Sequence, residues 1–339
     1  MIELKGKVAV ITGGSAGVGR ALARAFAAKG MKVALLARGK EKLEATVDEL
    51  ELLGAEVRAY PTDVARMEEV EEAAAKIERE LGPIHLWIND AMVSVFSPIK
   101  DTSAEEIRRT TEVTYLGSVH GILVALRYMS PRNEGQILQI GSALAYQSIP
   151  LQAAYCAAKQ AVRGFLQSLR MELKHDRSSV MVTELHLPAV NTPQFEWLDN
   201  HLGKHPMPVP PIFQPEVVAK AAVYLAEHPK REMWLAGSTV KAIIASKLAP
   251  RIAEWYLAKN GFNSQLTDEL KAKKDSDLWK PVPKDYGAHG SFDKEARRRS
   301  YLLDLRIHGK DLLLGSVGLA ALAGLFMGKS SRPRALPTH

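Results

Sequence analysis

The first 240 residues alternate between short, uninterrupted apolar runs and longer runs in which apolar residues recur every three or four positions. The short runs are typical of strands buried on both faces, and the longer spacing is typical of amphipathic helices. The predicted strands are residues 7–13, 32–38, 55–63, 84–89, 135–141 and 180–187. The predicted helices are residues 18–30, 41–54, 67–81, 104–129 and 153–175. Strands that alternate with helices predict an α/β fold, a doubly wound parallel sheet, over residues 1–240.

The pattern changes after the sixth strand. Residues 189–215 are rich in Pro and carry Phe195, Trp197 and Phe213, which predicts a long loop with a short helix. Long loops in compact domains are often functional lids. The alternative is a plain surface excursion.

The C-terminal third differs from the rest in composition. Residues 240–260 are predicted to be helical, and residues 262–300 are polar and irregular. The whole chain of 339 residues has a net charge of +7, but 18 Lys and Arg against 10 Asp and Glu fall after residue 240, and 27 against 28 fall before it. The predicted divisions are a main domain over residues 1–240, a mostly helical, irregular and basic extension over 241–310, and an apolar segment with a basic tail over 311–339.

The charge distribution and the cysteine count narrow the function class. The balanced main domain lacks the basic face of a general nucleic-acid-binding domain, so no nucleic-acid partner is expected. The basic tail is compatible with an anionic membrane surface or an acidic partner. The single cysteine, Cys156, excludes an intramolecular disulfide, and the sequence does not open on a signal peptide. These observations predict a cytoplasmic location.

An apolar segment near the C-terminus suggests that the protein is attached to a membrane within that compartment. Residues 312–328 carry no charge, and Lys310 and Lys329 lie on either side. A helix of this length spans roughly 25 Å, which is short of a ~30 Å hydrocarbon core. The segment is predicted to be a membrane anchor, and the alternative is a buried helix or a subunit contact.

A glycine-rich turn joins the first strand to the first helix. Free backbone N–H groups and the helix dipole at such a turn bind a phosphate, and glycines allow the pyrophosphate of a dinucleotide to approach closely. This context predicts a Rossmann-like cofactor site. The predicted phosphate-binding residues are Gly13, Ser15, Gly17, Val18 and Gly19.

The end of the second strand selects the nucleotide. A carboxylate there would accept the 2′-hydroxyl of NAD, whereas an Arg accommodates the 2′-phosphate of NADP. Ala37 and Arg38 occupy these positions and Lys40 follows, so NADP(H) is the predicted cofactor. The alternative for Arg38 is a solvated cation at a helix start.

Polar residues also follow the third and fourth strands. Asp63, with Val64 beside it, is predicted to contact the adenine, and the alternative is an N-cap of the next helix. Asn89 and the neighbouring Ala91 are predicted to contact the cofactor, and the alternative for Asn89 is a bridge between strands. No metal site is predicted.

Tyr155 and Lys159 lie four residues apart on a predicted helix, so both project from one face. A Tyr with its reference pKa of about 10 is a poor base at neutral pH, and a nearby ammonium lowers that pKa. Ser142 lies thirteen residues before Tyr155. Alone, a Tyr and a Lys at this spacing are usually a chance pair.

The ordered set of motifs resembles the short-chain dehydrogenase/reductase family. The similarity covers residues 7–240, in the family's order and at its spacing. Ala16 stands where the extended, epimerase-like branch has a Gly, so the sequence is similar to the compact branch. The matching pieces are TGGSAGVG (12–19), Asp63, NDA (89–91), Ser142 and YCAAK (155–159).

The resemblance implies roles for these residues. Tyr155 would donate or remove the hydroxyl proton, Lys159 would tune Tyr155 and bind the nicotinamide ribose, and Ser142 would hold the substrate oxygen. Pro188 matches a Pro-Gly turn of the family, and Thr192 is expected either to bond to the cofactor or to serve the turn alone. The family often forms dimers or tetramers, so a homo-oligomer is expected.

Two departures from the family pattern bear on catalysis. Thr114 stands where the family usually has an Asn that orders a proton-relay water, so Thr114 is the predicted fourth catalytic group, with an altered relay. Asp90 and Met92 replace Asn and Gly in the usual Asn-Asn-Ala-Gly turn, which adds charge and bulk near the nicotinamide.

These patterns predict an NADP(H)-dependent oxidoreductase that interconverts an alcohol and a ketone or aldehyde. A membrane anchor and the aromatic loop would favour a lipophilic substrate. The alternative is a non-catalytic NADP(H)-binding, membrane-associated scaffold, which the departures favour and the Ser142, Tyr155 and Lys159 set opposes. A dehydratase or epimerase of the same fold is disfavoured by the glycine spacing.

Overall fold

Seven parallel strands form the central sheet. The strands are β1 (Val8–Thr12), β2 (Lys32–Ala37), β3 (Val57–Pro61), β4 (Ile84–Asn89), β5 (Gln136–Ser142), β6 (Met181–Leu187) and β7 (Glu232–Trp234). Their order in the sheet is β7-β6-β5-β4-β1-β2-β3. The winding reverses between β1 and β4, which places a crevice at the carboxyl ends of these two strands. The first six coincide with the predicted strands, and β7 is too short to appear as an apolar run.

The computed structural model describes residues 1–270 and 276–307. The chain divides into two units, Met1–Ser300 and Tyr301–His339. The described part of the second unit, residues 301–307, is helical. Every element named below belongs to the first unit.

Helices cover both faces of the sheet. The helices are α1 (Gly17–Ala28), α2 (Lys40–Leu52), α3 (Met67–Glu80), α4 (Ala104–Thr111), α5 (Gly117–Arg132), α6 (Ala153–His175), α7 (Gln194–Trp197), α8 (Pro215–Glu227), α9 (Gly237–Leu248) and α10 (Pro250–Asn260). One layer contains α1, α2 and α8, in which α1 packs against the other two, and the other layer contains α3, α5 and α6. The doubly wound parallel α/β fold predicted from the sequence is therefore confirmed.

The single helix predicted over residues 104–129 is interrupted. A wider, π-helical turn at Glu112–Leu116 separates α4 from α5. At the start of α5, a Cβ on Gly117 would lie 2.6 Å from Cγ2 of Val64. Glycine thus lets α5 approach the turn after β3, which periodicity alone does not reveal.

The Pro-rich loop packs inward. It contains α7 and short strands of two or three residues each. Phe195, Trp197 and Phe213 are all buried. Phe195 packs in a cluster with Phe96, and with Phe292 from the extension. The loop is therefore an integral part of the first unit rather than a plain excursion.

The described part of the extension up to Ser300 lies in the same unit as the sheet. The predicted division at residue 240 falls inside α9. Beyond α10 the chain is mostly irregular, but Leu278 and Val282 are buried, which anchors it to the main domain.

Among the described residues, no helix is both long and apolar enough to cross a bilayer. The predicted anchor at residues 312–328 lies outside the described residues.

Candidate active site

A cavity of about 980 Å³ opens at the carboxyl ends of the first six strands. Each strand contributes residues at or just after its last position, as expected for an open parallel sheet. The predicted site residues that line this cavity are Gly13, Ser15, Gly17, Val18, Arg38, Asp63, Val64, Ala91, Ser142, Tyr155, Lys159, Pro188 and Thr192. The other three, Gly19, Asn89 and Thr114, pack behind the described lining residues.

The glycine turn after β1 packs tightly against the turn after β4. Gly13 has a φ of +74°, and a Cβ there would lie 3.0 Å from the Ala91 backbone. The hydroxyl oxygen of Thr12 accepts hydrogen bonds from the amides of Asp90 (3.0 Å) and Ala91 (3.1 Å). A Cβ on Gly19 would lie 2.2 Å from the Gly13 carbonyl oxygen. Gly17 and Val18 at the N-terminus of α1 line the cavity, a position that suits a phosphate, while the Gly17 amide donates to the carbonyl oxygen of Gly287 (3.1 Å).

Ser142, Tyr155 and Lys159 come together at the cavity wall. Ser142 ends β5, and its Oγ accepts a hydrogen bond from the Leu144 amide (3.1 Å). Tyr155 and Lys159 lie one turn apart near the start of α6. The Lys159 ammonium is buried, donates to the carbonyl oxygen of Ile140 (2.9 Å) and lies 5.6 Å from the centroid of the Tyr155 ring.

The structure does not show the lowered Tyr155 pKa that the sequence suggested. Burial raises the pKa of the Tyr155 phenol, and a hydrogen bond with Ser142 opposes that rise. The Lys159 ammonium lies over the ring and bonds to a backbone carbonyl, so it is not a principal influence on the phenol. The phenol is consequently protonated at neutral pH and is able to act as a proton donor.

Asp90 supplies a charge partner for Lys159. Burial raises the pKa of Asp90, and Lys159 opposes this; burial lowers the pKa of Lys159, and Asp90 opposes that. The Gly19 amide also bonds to the Asp90 carboxyl and favours its ionised form. The Asp at this position therefore helps to keep a buried ammonium charged next to the Tyr155 phenol.

Asp63 is held by an ion pair at the cavity wall. One carboxylate oxygen accepts a hydrogen bond from the Ala65 amide (3.0 Å), and the other accepts one from the Arg109 guanidinium (2.6 Å). Since α3 begins at Met67, with Arg66 as its N-cap, Asp63 does not cap that helix. Contact with an adenine remains a prediction.

Two cations face the cavity beyond β2. Arg38 donates through both terminal nitrogens to backbone carbonyls of the extension, including that of Trp279 (3.3 Å). Lys40, which the sequence favoured as a second cation, is exposed and pairs with Glu44 (3.6 Å). Lys42 instead is buried, lines the cavity and places its ammonium 5.0 Å from the centroid of the Trp197 ring.

Thr114 is fully buried in the π-helical turn. Its hydroxyl donates to the carbonyl oxygen of Val93 (2.9 Å) and accepts from the Val93 amide (3.1 Å). Both bonds fix the segment after β4 to the helix. A relay role for Thr114 remains a prediction.

Asn89 also serves the framework behind the cavity. The side-chain oxygen Oδ1 of Asn89 accepts a hydrogen bond from the Trp87 indole (2.9 Å), and the side-chain nitrogen Nδ2 donates one to the backbone carbonyl oxygen of Ser118 (3.1 Å). The first bond lies within β4, and the second joins β4 to α5. The Asn89 side chain therefore bonds to a helix rather than bridging neighbouring strands, and direct cofactor contact remains a prediction.

The opposite end of the cavity is apolar. The Pro-rich loop contributes Phe195 and Met207, and α10 contributes Ile252, Trp255 and Tyr256. The three α10 side chains are 69%, 66% and 58% exposed, so they stand at the mouth. No site residue was predicted in the extension, because its apolar residues carry no motif that ties them to the cofactor site; the aromatic pair at 255–256 was a local signal.

A model of the short chain dehydrogenase family matches residues 7–201. An uncharacterized oxidoreductase, YxnA, of Bacillus subtilis is 35% identical over 266 residues, which is 78% of this chain and 74% of that protein. A fatty acyl-CoA reductase of Acinetobacter baylyi is 31% identical over 265 residues, which is 77% of this chain and 86% of that protein.

Solved structures agree with this assignment. A short-chain dehydrogenase/reductase from Burkholderia phymatum in complex with NAD has a TM-score of 0.65 and 26% identity, covering 80% of this chain and all (100%) of that one. An alcohol dehydrogenase from Thermococcus sibiricus complexed with 5-hydroxy-NADP has a TM-score of 0.58 and 28% identity, covering 67% and 95%. Together with the glycine turn and the Ser, Tyr and Lys at the cavity wall, these matches show that the chain belongs to the short-chain dehydrogenase/reductase family of oxidoreductases.

Proposed function

We propose that this chain is an NADP(H)-dependent oxidoreductase that interconverts a lipophilic alcohol with its aldehyde or ketone, with Tyr155 as the acid/base group. The observation that carries the proposal is the meeting of Ser142, Tyr155 and Lys159 at the wall of one cavity. That cavity is polar toward the glycine turn and apolar toward α10.

The residues present fit a dinucleotide. A Cβ at Gly13 or Gly19 would meet backbone atoms of the two turns, so glycine at both positions keeps the phosphate-binding turn tight, and Ser15 and Gly17 line the cavity beside it. When bound, the nicotinamide supplies or accepts the hydride. Lys159 would hold the nicotinamide ribose, and Thr192 and Pro188 would border the same group.

In the direction of carbonyl reduction, the Tyr155 hydroxyl would donate its proton to the substrate oxygen as negative charge develops there. The Ser142 hydroxyl would donate a second hydrogen bond to that oxygen and stabilise the charge. The raised pKa of Tyr155 supports proton donation, because a phenol that stays protonated is ready to act as the acid.

Two cations support a preference for the 2′-phosphate. Arg38 and Lys42 line the cavity after β2, where a family member that uses NAD would carry a carboxylate on the strand itself. The Burkholderia phymatum structure contains NAD and the Thermococcus sibiricus structure contains 5-hydroxy-NADP, so the preference rests on this chain's own residues.

The apolar end of the cavity supports a lipophilic substrate. Phe195, Met207 and the α10 side chains offer contact area to a hydrocarbon chain. The Acinetobacter baylyi relative is a fatty acyl-CoA reductase, which agrees with a lipophilic substrate. Attachment to a membrane through residues 312–328 would deliver such substrates, and it stays part of the proposal.

A homologous series of straight-chain aldehydes and methyl ketones tests the proposal. Each buried CH₂ contributes ~0.8 kcal/mol, so kcat/KM with NADPH should rise up to roughly fourfold per added CH₂ until the cavity is filled. Trp255→Ala should raise KM for long chains by about threefold or more, without affecting short ones.

The matched control is Leu248→Ala, since Leu248 is exposed and is not among the described lining residues. Leu248→Ala should leave KM unchanged for both the shortest and the longest members of the series. Turnover that is independent of chain length would contradict the lipophilic assignment. Nucleotide binding without turnover of any carbonyl or alcohol would favour a scaffold.

A further inference from the structure

Part of the extension folds back over the nucleotide end of the cavity. We call residues 277–290 the strap. Asp277 and Pro281 line the cavity, and Leu278 is fully buried in the same core cluster as Val64 and Val113. The strap is therefore packed into the main domain rather than loosely laid on its surface.

Side chains of the main domain hold the first residues of the strap. Arg38 donates to the carbonyl oxygens of Asp277, Leu278 and Trp279, and the guanidinium of Arg109 also donates to that of Leu278 (3.1 Å). The two arginines thus fix the backbone at residue 277 next to the end of β2.

The strap then crosses the glycine turn. The Gly17 amide donates to the carbonyl oxygen of Gly287 (3.1 Å), and Arg20 pairs with Asp285 (2.6 Å). The ring of Tyr286 packs edge-on against Trp197, with 5.0 Å between centroids. Both ends of the strap are therefore attached, on either side of the proposed nucleotide site.

The path of the strap places the Asp277 carboxyl group near the side chains of Arg38 and Lys42. The Asp277 carboxyl interacts electrostatically with Arg38 and Lys42, and it accepts a hydrogen bond from the Trp197 side chain. Burial raises its pKa to about 7, and the two cations oppose the rise. The carboxylate that is missing from the end of β2, where Ala37 and Arg38 stand, is thus supplied by a residue about 240 positions later in the chain.

We propose that Asp277 is a cofactor-specificity residue, which weakens the binding of a nucleotide with a 2′-phosphate and so reduces, without reversing, the preference for NADP(H) that Arg38 and Lys42 create. This inference rests on the proposed nucleotide site. An ionised Asp277 carboxylate partly neutralises the positive charge of Arg38 and Lys42. It also repels the 2′-phosphate, which carries about −1.5 to −2 charges at neutral pH. The same carboxylate is an acceptor for a ribose hydroxyl.

The test is calorimetric titration of the purified chain with NADPH and, separately, with NADH. Asp277→Asn should lower the Kd for NADPH by at least about fivefold and should leave the Kd for NADH unchanged or raised. Asp277→Ser, a second neutral variant, should act in the same sense. Lys42→Met should act in the opposite sense and raise the Kd for NADPH.

Asp285→Asn is the control for a loosened strap. Asp285 belongs to the strap and pairs with Arg20, but it is not among the described residues that line the cavity. Its loss should change both Kd values by a common factor. An unchanged ratio of the two Kd values in both Asp277 variants would overturn the proposal. If the unaltered chain bound neither nucleotide, the proposed function itself would fail, and the role of Asp277 would fail with it.

Discussion

At the scale of single residues, the site depends on charges that the fold buries together. The Lys159 ammonium has one backbone acceptor, the carbonyl of Ile140, and one carboxyl, Asp90, to offset the loss of water. A buried cation without a carboxylate tends to lose its proton. The Asp that departs from the family turn is therefore a source of electrostatic support for Lys159.

Asp90→Asn should move the alkaline limb of the pH profile. Asp90 raises the pKa of Lys159, so removing the carboxylate lowers that pKa, and the ammonium is lost at a lower pH. The alkaline limb of kcat/KM for carbonyl reduction should shift downward by about one pH unit or more.

The control for this profile is Asp48→Asn, an exposed carboxylate on α2, which should leave the limb in place. A profile of Asp90→Asn that coincides with that of the unaltered chain would contradict the pairing with Lys159.

Most of the site residues can be predicted at this scale, because their spacing is local. Gly13, Ser142 and Tyr155 lie at strand ends or on one helix face, and the structure brings them to one cavity. Lys42 and Asp277 were not predicted. Lys42 differs from Lys40 in being buried, which the local sequence does not reveal, and Asp277 comes from a distant part of the chain.

At the scale of elements, the break between α4 and α5 shows what periodicity does not reveal. The apolar pattern of residues 104–129 is continuous, yet the backbone widens at Glu112–Leu116. There Thr114 bonds to both backbone groups of Val93. These bonds are tertiary, so local sequence carries no sign of them.

Thr114→Val tests this account of the break. Valine has a similar shape but leaves the Val93 amide and carbonyl without their partner, which costs about 1–3 kcal/mol in a buried site. Urea denaturation should show that loss in the free energy of unfolding. Thr111→Val, which removes a local bond to the Ile107 carbonyl in a less buried position, should cost less than about 0.5 kcal/mol.

The two variants also separate two roles for Thr114. If Thr114→Val were as stable as Thr111→Val yet lost turnover, a proton relay would be favoured over a framework role. Loss of stability with turnover retained in the folded fraction would favour the framework role.

At the scale of the whole molecule, the sheet domain and the described extension up to Ser300 form one unit. The sheet supplies the glycine turn, the Ser, the Tyr and the Lys, and the extension supplies the strap and the apolar mouth. The alternating α/β order was predictable because each element has its own apolar run. The path of residues 276–300 was not, since single anchors such as Leu278 and Phe292 create no periodic pattern.

The central claim is that Tyr155 is the proton donor of a working oxidoreductase, and single-turnover kinetics test it most directly. The chain, in excess over NADPH and already mixed with it, would be mixed with a long-chain aldehyde, and hydride transfer followed at the nicotinamide absorbance. Tyr155→Phe should slow hydride transfer by at least about 100-fold, because the proton donor is lost, while the Kd for NADPH stays within about threefold.

Tyr128→Phe, on α5 and packed against the core, is the matched control and should retain the full rate. A Tyr155→Phe protein that binds NADPH and transfers hydride within about threefold of the unaltered rate would contradict the account. The predicted result, binding kept and hydride transfer lost, would establish Tyr155 as the acid of the reaction.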